Sequence, residues 1–316
     1  MANEPIEGGQ EPMQRHSTVG AWLSRVACRT AACLAFVAAG GVRAQEILPN
    51  DLVPAPAGTN AILGYYIYGH NDRLNVARGS TFNKDTGLEV NIGVARYVHY
   101  FSLAGMPAGW QVFQPFGSLS GAKVAGESLG SGSAFGAQNL ALSAFFWPYA
   151  NQAQQTYFLV GGFLYPPTGT YDRRSPINVG DNRWRGNIQI GLNKGITDRV
   201  GVDLEYDVQF YGDNSGFFPG GRRLSQAPSH RLQGFVNYAW TKTFVTSLGW
   251  EAIFGGDQKV DRTFNGNKTE LQRLRAVASY FWTPSFQTVL EVNRDIQVVG
   301  GFRQAIGVQL RALYVF

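Results

Sequence analysis

Polar and apolar residues alternate along most of this chain, and the alternation is clearest between residues 183 and 212. Two runs with a period of two are separated there by the segment 195–199, which predicts two antiparallel strands joined as a hairpin. The apolar face of the second run consists of Val200, Val202, Leu204, Tyr206, Val208 and Phe210. The opposite face is polar and includes Asp203, Glu205, Asp207 and Gln209. One such hairpin fits a half-buried sheet in a soluble sandwich as well as a membrane barrel.

The number of strands and their connections distinguish these two folds. The same alternation predicts twelve strands, near residues 60–69, 87–99, 110–117, 134–147, 155–165, 183–194, 200–211, 229–240, 244–254, 269–282, 286–297 and 303–316. Short turns are predicted at 103–109, 148–154, 195–199, 241–243 and 283–285, and longer polar loops lie between them. Short turns at one rim and long loops at the other are typical of outer-membrane barrels. We therefore predict an all-β fold, a closed antiparallel transmembrane β-barrel of about 12 strands in up-and-down order.

Aromatic residues near the short turns agree with this prediction, because outer-membrane barrels carry aromatic girdles at the lipid interface. The residues expected in the girdle are Phe146, Trp147, Tyr157, Trp240, Phe244, Tyr280, Trp282 and Phe286. The chain ends on an apolar face that reaches Phe316, as expected of a closing strand. Closure is required because an unpaired backbone group in hydrocarbon costs several kcal/mol.

The first 44 residues are predicted to be an N-terminal extension with a secretory signal peptide. A basic segment from Arg15 precedes an apolar run at 31–41, and cleavage is expected after Ala44. The run is too short for a transmembrane helix, which needs about 20 residues. Translation could start at Met1 or Met13. Both cysteines lie in the signal, so the exported chain would contain no disulfide. Residues 45–59, with three prolines, are predicted to be a periplasmic lead-in, and residues 60–316 to form the barrel.

Composition and charge narrow the possible functions. The chain contains 39 glycines, 21 phenylalanines and 14 tyrosines with 16% charged residues, which favours twisted sheet over helix. Its formal net charge of +5 is too mild to predict a nucleic-acid partner. Metal ligands at recognisable spacing and phosphate-binding loops are absent from the sequence. We expect no cofactor.

Residues of a turn and a strand entry give the chain a family resemblance. The turn residues are Pro167, Thr168, Gly169 and Tyr171, followed by Asn178, Gly180, Asn182 and Trp184, and the lead-in adds Pro56, Gly58 and Asn60. With these residues the chain resembles, from about residue 56 to its end, the family of outer-membrane β-barrel transporters associated with the MetA pathway of phenol degradation. The resemblance implies passage of small, often hydrophobic or aromatic, organic compounds.

If the apolar face meets lipid, the polar face lines the lumen. Acidic and basic residues of this polar face lie on different strands. The candidate lumen and selectivity residues are Arg183, Arg185, Asp203, Glu205, Asp207, Arg231, Glu251, Arg273, Arg275, Glu291 and Arg311. Counting from the short-turn rim predicts ion pairs of Glu251 with Arg275 and of Glu291 with Arg311. Arg185 is expected opposite Glu205 and Asp207. These pairs could serve stability alone, or they could form a constriction that orients a solute.

The first half of the barrel has a more apolar predicted interior. Both faces of residues 155–165 are apolar, and Tyr97, Phe113 and Phe145 are expected to point inward. This wall could be a track for aromatic solutes, or it could pack against an inward-folded loop or the proline-rich lead-in.

The sequence therefore predicts a channel or substrate-selective porin for small organic compounds. The expected partners are outer-membrane lipid, the barrel-assembly machinery and the solute, and a monomer is favoured. One alternative is a structural or adhesive barrel with a plugged lumen. Another is a lipid-modifying enzyme that uses Ser229 and His230, but adjacent residues on a strand face opposite ways and cannot act as nucleophile and base.

Overall fold

The computed structural model describes residues 46–316, which form strands and loops. The predicted signal peptide and its cleavage site lie outside the described residues. No helix within 46–316 is long and apolar enough to cross a membrane. The strands are β1 (Asn60–Asn75), β2 (Thr81–Phe82), β3 (Gly87–Leu103), β4 (Met106–Val124), β5 (Glu127–Ser128), β6 (Ala134–Ala137), β7 (Ala141–Asn151), β8 (Thr156–Tyr165), β9 (Arg185–Gly195), β10 (Val200–Tyr211), β11 (Asn214–Phe217), β12 (Arg222–Gln226), β13 (Ser229–Ala239), β14 (Phe244–Gly255), β15 (Gln258–Val260), β16 (Thr263–Phe264), β17 (Glu270–Thr283), β18 (Phe286–Val299) and β19 (Gly301–Val315).

Twelve long strands pair antiparallel in the order β1, β3, β4, β7, β8, β9, β10, β13, β14, β17, β18 and β19. The last strand then pairs with the first, from Ala61 opposite Val315 to Asn75 opposite Gly301. This pairing closes the sheet, so neither end strand leaves an open edge in the membrane. The predicted closed antiparallel barrel with strands in up-and-down order is confirmed.

β1, β3 and β4 are longer than the alternation predicted, and the turns predicted at 103–109 and 148–154 are shorter. Leu103 pairs with Met106, so only Ala104 and Gly105 form the turn between β3 and β4. Both have positive φ, 49° and 82°, as a two-residue hairpin turn requires. The strand predicted at 134–147 is divided into β6 and β7, because β6 pairs with the upper part of β4 and β7 with its lower part.

The long loops at the opposite rim have structure of their own. β11, β12, β15 and β16 form a separate four-stranded sheet with a small apolar core of Phe217, Leu224 and Val260. In the turn after β15, the hydrogen bond from Arg222 holds the pKa of Asp261 below its ordinary value. By the usual orientation of outer-membrane barrels, this sheet lies on the extracellular side.

The two faces of the barrel wall differ as the alternation predicted. Leu204 is 50% exposed, whereas its neighbour Asp203 is fully buried inside. Trp240 and Trp282 are exposed beside the short turns, as expected of an aromatic girdle.

Three aromatic side chains point the opposite way from the prediction. Tyr157, expected in the girdle, lies on the same face of β8 as the buried Leu159 and packs against the inner cluster. Trp147 is 1% exposed and points inward with Phe145, because the two alternate in phase along β7. Tyr97 faces outward, since its cross-strand partner is the exposed Ile62 and its ring packs on Trp110.

The lipid-facing side of β10 can be tested with Leu204→Arg. An arginine near the middle of the bilayer should destabilise the folded barrel by about 2–4 kcal/mol. Urea unfolding in lipid vesicles, followed by tryptophan fluorescence, measures this change. The control is Asp198→Arg in the exposed turn before β10, which should leave the unfolding midpoint unchanged. Equal stability of the two variants would contradict the outward orientation of Leu204.

Candidate functional site in the barrel lumen

Residues 46–53, part of the predicted periplasmic lead-in, lie inside the barrel; we call them the inner lead-in. Hydrogen bonds and ion pairs connect this segment to six strands spread around the wall, β7, β9, β10, β13, β17 and β19. A segment that contacts strands on opposite sides of a barrel must lie in its lumen. Packing of the apolar wall against the proline-rich lead-in, one of the two alternatives that the sequence left open, is therefore what the structure shows for these residues.

Backbone groups of the inner lead-in bind side chains of the wall. The amide of Asn50 donates to Asp203 Oδ2 at 3.0 Å, and Arg275 Nη2 donates to the carbonyl of Ile47 at 3.0 Å. On the other side, Trp147 Nε1 donates to the carbonyl of Leu52 at 2.7 Å. Buried peptide groups that cannot join the barrel's own ladder are satisfied in this way.

Side chains of the inner lead-in add charge and apolar contact. Asp51 Oδ1 accepts from Arg311 Nη1 at 2.7 Å, and Glu46 lies 3.7 Å from Arg273. Leu52 sits against Gly191, where a Cβ would lie 2.6 Å from its Cδ2 atom. The absence of a side chain at 191 therefore makes room for the segment. The apolar cluster around it contains Ile47, Leu48, Leu52, Phe145, Trp147, Leu159, Phe235, Val277 and Val289.

The charged wall of the second half forms a continuous series of ion pairs. Arg231 Nε lies 3.7 Å from Asp207 and 3.3 Å from Glu251. Arg273 continues the series, at 3.7 Å from Glu251 and 2.7 Å from Asp295. The series therefore crosses five neighbouring strands, from β10 to β18.

A separate pair lies nearer the short-turn rim. Arg275 forms two hydrogen bonds with Glu291, at 2.9 and 2.7 Å, and its guanidinium stacks over Phe235 at 4.6 Å. Gln233 accepts a further hydrogen bond from Arg275 at 3.0 Å and donates to Glu205.

The predicted pairing partners are wrong by two residues. Glu251 lies opposite Arg273, and Val289, not Glu291, lies opposite Arg311. The error arises from strand stagger: Phe244 pairs with Tyr280 and Phe286 with Tyr314, so the strand ends are not level. Counting from the turns ignores this offset.

Arg183 and Arg185 lie at the long-loop end of the lumen and not beside Glu205 and Asp207. Arg185 lies opposite Tyr211, pairs with Asp181 at 2.9 Å and stacks over Tyr165 at 4.5 Å. Arg183 is 2% exposed and donates to Gln226 at 2.6 Å. The predicted contact of Arg185 with Glu205 and Asp207 is therefore wrong.

The first half of the lumen has an aromatic wall, which we define as Phe113, Phe145, Leu159, Phe163 and Tyr165. Phe163 lies 6.1 Å from Phe113 and stacks on Tyr165 at 5.9 Å. Phe113 and Phe145 point inward as predicted.

A cavity of about 40 Å³ remains between part of the inner lead-in and this wall. It is lined in part by Ile47, Leu52, Arg96, Phe145, Leu159 and Phe163. Arg96 stacks over Phe113 at 4.7 Å and donates to Gln111 at 2.6 Å. Arg96 is not among the residues predicted from the sequence. It could have been identified because it is a single arginine on the face of β3 that points into the lumen.

The residues of the family resemblance between 167 and 184 hold the long loops together. A Cβ at Gly169 would lie 2.7 Å from the Cα atom of Gly180, so these two backbone segments approach too closely for side chains. Asn178 accepts from the amide of Asp172 at 2.6 Å, and Asn182 donates to Asn214 at 2.9 Å. These residues fold the loops and do not contact the charged wall through the hydrogen bonds described.

Ser229 and His230 do not form a catalytic pair. Ser229 Oγ is hydrogen-bonded to Tyr211 Oη and His230 Nδ1 to Tyr206 Oη, each at 2.7 Å. His230 also stacks on Phe254 with ring centres 5.2 Å apart. Within residues 46–316, no group of three or more histidine, cysteine or acidic residues is arranged to hold a metal ion.

A closed meander barrel, apolar outside and charged inside, defines the class of outer-membrane β-barrels. Among solved structures, the chain is similar to the COG4313 outer membrane channel from Pseudomonas putida F1, with 28% identity, a TM-score of 0.81 and coverage of 86% of this chain and 100% of that one. It shares the fold of the TodX monoaromatic hydrocarbon channel ΔS2S3 mutant, with 11% identity, a TM-score of 0.51 and coverage of 83% and 90%. A search of the curated proteins found no match.

The family described as "Putative MetA-pathway of phenol degradation" matches residues 71–311, and the chain belongs to it. The predicted family is thus confirmed. The chain belongs to this family, forms a closed barrel and is similar to a solved outer-membrane channel. The protein is therefore an outer-membrane channel.

The Arg275 cluster can be tested by Arg275→Met. This change keeps much of the side-chain volume but leaves Glu291 buried without its partner, so the folded barrel should lose about 3–5 kcal/mol. The measurement is the free energy of unfolding in urea. The matched control is Arg222→Met, which removes an exposed pair with Asp261 and should have little effect. A loss no larger than that of the control would contradict the assigned role of Arg275.

Proposed function

We propose that the channel passes small hydrophobic or aromatic organic compounds along the aromatic wall of its lumen, and that the inner lead-in closes this path until it moves. The observation that carries the proposal is the cavity of about 40 Å³ between the segment and the wall. Convergent arginine and glutamine side chains beside aromatic rings are the usual composition of a small-molecule site.

The size of the cavity decides that the segment must move. A water molecule occupies about 30 Å³ in the liquid, and an apolar cavity of about 150 Å³ is known to bind benzene. A cavity of about 40 Å³ is therefore too small for an aromatic ring. Displacement of Leu52 and its neighbours would widen the space next to Phe145, Leu159 and Phe163.

The charged residues of the lumen would set selectivity in this function. They are Arg183, Arg185, Asp203, Glu205, Asp207, Arg231, Glu251, Arg273, Arg275, Glu291 and Arg311. Pairs of opposite charge fix one another and expose little net charge, which favours neutral solutes over ions. The same pairs also stabilise the wall, so the structural and functional interpretations apply together.

The family description and one solved structure of the same fold support an aromatic solute. The family description refers to phenol degradation, and a channel for monoaromatic hydrocarbons shares the fold. At 11% identity the second likeness concerns fold alone.

We also propose that the protein is not an enzyme, because Ser229 and His230 have separate partners.

A second candidate function is a structural barrel with a permanently plugged lumen. The contacts of the inner lead-in with six strands favour it. The two candidates differ in one respect: whether the segment leaves its site.

Export and assembly complete the proposal. The signal within residues 1–44 would be removed after Ala44, residues 45–59 would form the lead-in, and the barrel-assembly machinery would insert residues 60–316 into outer-membrane lipid. A monomer is favoured because the closed sheet leaves no edge strand to pair with a second copy.

A disulfide between the inner lead-in and the wall tests the function directly. The variant carries Leu52→Cys together with Gly191→Cys, at positions where a Cβ on residue 191 would lie 3.4 Å from Leu52 Cγ. This approach is close enough for a disulfide. In cells that lack other porins, oxidation should abolish the initial uptake of a labelled aromatic solute, and reduction should restore it.

The control for this experiment is each single cysteine variant, which should transport equally under oxidation and reduction. Equal uptake by the oxidised and reduced double variant, with the disulfide verified by mass spectrometry, would contradict the proposed path. Uptake no faster than in cells without the protein would favour the plugged structural barrel.

A further inference from the structure

We propose that Arg294, on the outer surface of β18, binds the phosphate group of a lipid in the outer leaflet of the membrane. The side-chain amides of Gln272 and Gln297 complete the site. The site lies on the lipid-facing side of the wall, so the inference concerns the contact between barrel and membrane and is independent of the solute in the lumen.

The side chain of Arg294 points away from the lumen. Its neighbour Asp295 is 2% exposed and pairs with Arg273 inside the barrel, whereas Arg294 is exposed. The cross-strand partner of Arg294 is Leu274, which is 50% exposed on the outer surface. Because partners across a sheet share a face, Arg294 faces the lipid.

Arg294 lies near the outer edge of the hydrocarbon layer. It is eight residues beyond Phe286, which begins β18 at the short-turn rim. At about 3.4 Å per residue and a strand tilt of about 40°, this separation is a height of about 20 Å. The apolar band of such barrels is about 25 Å tall, so a long side chain at this level reaches the headgroups of the outer leaflet.

The surface around Arg294 is apolar and provides no counter-ion. Val292 and Ile296, its neighbours along β18, are 42% and 52% exposed. Glu270, the acid at the upper end of β17, is paired with Lys268. Within residues 46–316, Arg294 itself takes part in no ion pair or side-chain hydrogen bond. A charge that faces lipid is unfavourable without a partner, and the anion present at this level is a lipid phosphate.

Two amide side chains lie directly above the arginine on the same surface. Gln272 shares the outer face of β17 with Leu274, and Gln297 is its cross-strand partner. Gln272 Nε2 donates to Gln297 Oε1 at 3.0 Å. This bond fixes the amide of Gln297 and leaves its Nε2 group available to donate to a ligand.

A phosphate monoester matches this arrangement. A guanidinium presents parallel N–H groups that bind two phosphate oxygens, and the Gln297 amide can donate to a third. The acyl chains of the same lipid would contact Leu274, Val292 and Ile296. A neutral headgroup would leave the guanidinium without a counter-ion. The site therefore favours a phosphorylated lipid over a neutral one.

The test compares lipid A, a phosphorylated glycolipid, with the same lipid after removal of its phosphates. Binding to the full barrel in a non-ionic detergent is measured by native mass spectrometry. The wild-type protein should bind the phosphorylated form about tenfold more tightly, as expected for hydrogen bonds between a charged donor and a phosphate. Arg294→Gln should abolish this preference.

Two controls make the result specific. Arg262→Gln makes the same change at an exposed arginine in the turn between β15 and β16, on the same side of the membrane, and should keep the preference. Inorganic phosphate at the concentration of the lipid should not displace lipid A, because it has no acyl chains to contact the apolar surface. Folding of each variant is checked by its heat-modifiable migration in gels.

Equal wild-type affinity for the two forms of the lipid, or a preference that survives in Arg294→Gln, would overturn the site. Loss of the preference in Arg262→Gln as well would also overturn it, since general electrostatic attraction would then explain the binding. Displacement of lipid A by inorganic phosphate would overturn the assignment of a lipid as the ligand.

Discussion

The backbone pairing of β1 with β19 is the constraint on which the rest of this structure depends. Hydrocarbon offers no hydrogen-bond partner to a peptide group, so a strand at an open edge would expose a row of unsatisfied donors and acceptors. Closure removes the edge and at the same time creates an interior shielded from lipid. Alternation then sends every second side chain into that interior, which is why charged residues can be carried by strands that cross a membrane.

Burial of those charges imposes a second constraint, because an ion taken out of water needs a close partner. The arginines of β13 and β17 meet acids from β10, β14 and β18, so the wall is largely neutralised by itself. Arg311 is different, since Asp51 of the inner lead-in supplies its acidic partner. The inner lead-in thus neutralises a charged residue of the wall and also blocks the lumen. Its removal would leave Arg311 with the neutral Gln287.

The sequence predicts the fold well, because alternation and the sorting of loop lengths are local properties of the chain. The acidic and basic strands could be identified for the same reason. Pairing partners could not be identified, since strand stagger is set by closure of the whole sheet; hence Glu251 meets Arg273 and not Arg275. Trp147 was misplaced for a different reason: nearness to a turn suggested lipid contact, whereas its phase with Phe145 decides that it points inward.

The apolar faces of residues 155–165 allowed packing of the wall against the lead-in as one alternative, but the exact position of the inner lead-in depends on contacts between residues far apart in sequence. Asn50 and Asp203, or Ile47 and Arg275, are separated by more than a hundred residues. Prolines 49, 54 and 56 correctly indicated a segment outside the barrel ladder. They carried no information on which side of the rim the segment would lie.

The central claim is that the inner lead-in, and not the barrel wall, limits passage through the lumen. Single-channel conductance in planar bilayers tests it most directly, with residues 46–53 replaced by a glycine–serine sequence of equal length. The account predicts a stable, markedly larger conductance than that of the unmodified channel. An unchanged conductance in a folded barrel would contradict it, because the limit to passage would then lie in the wall.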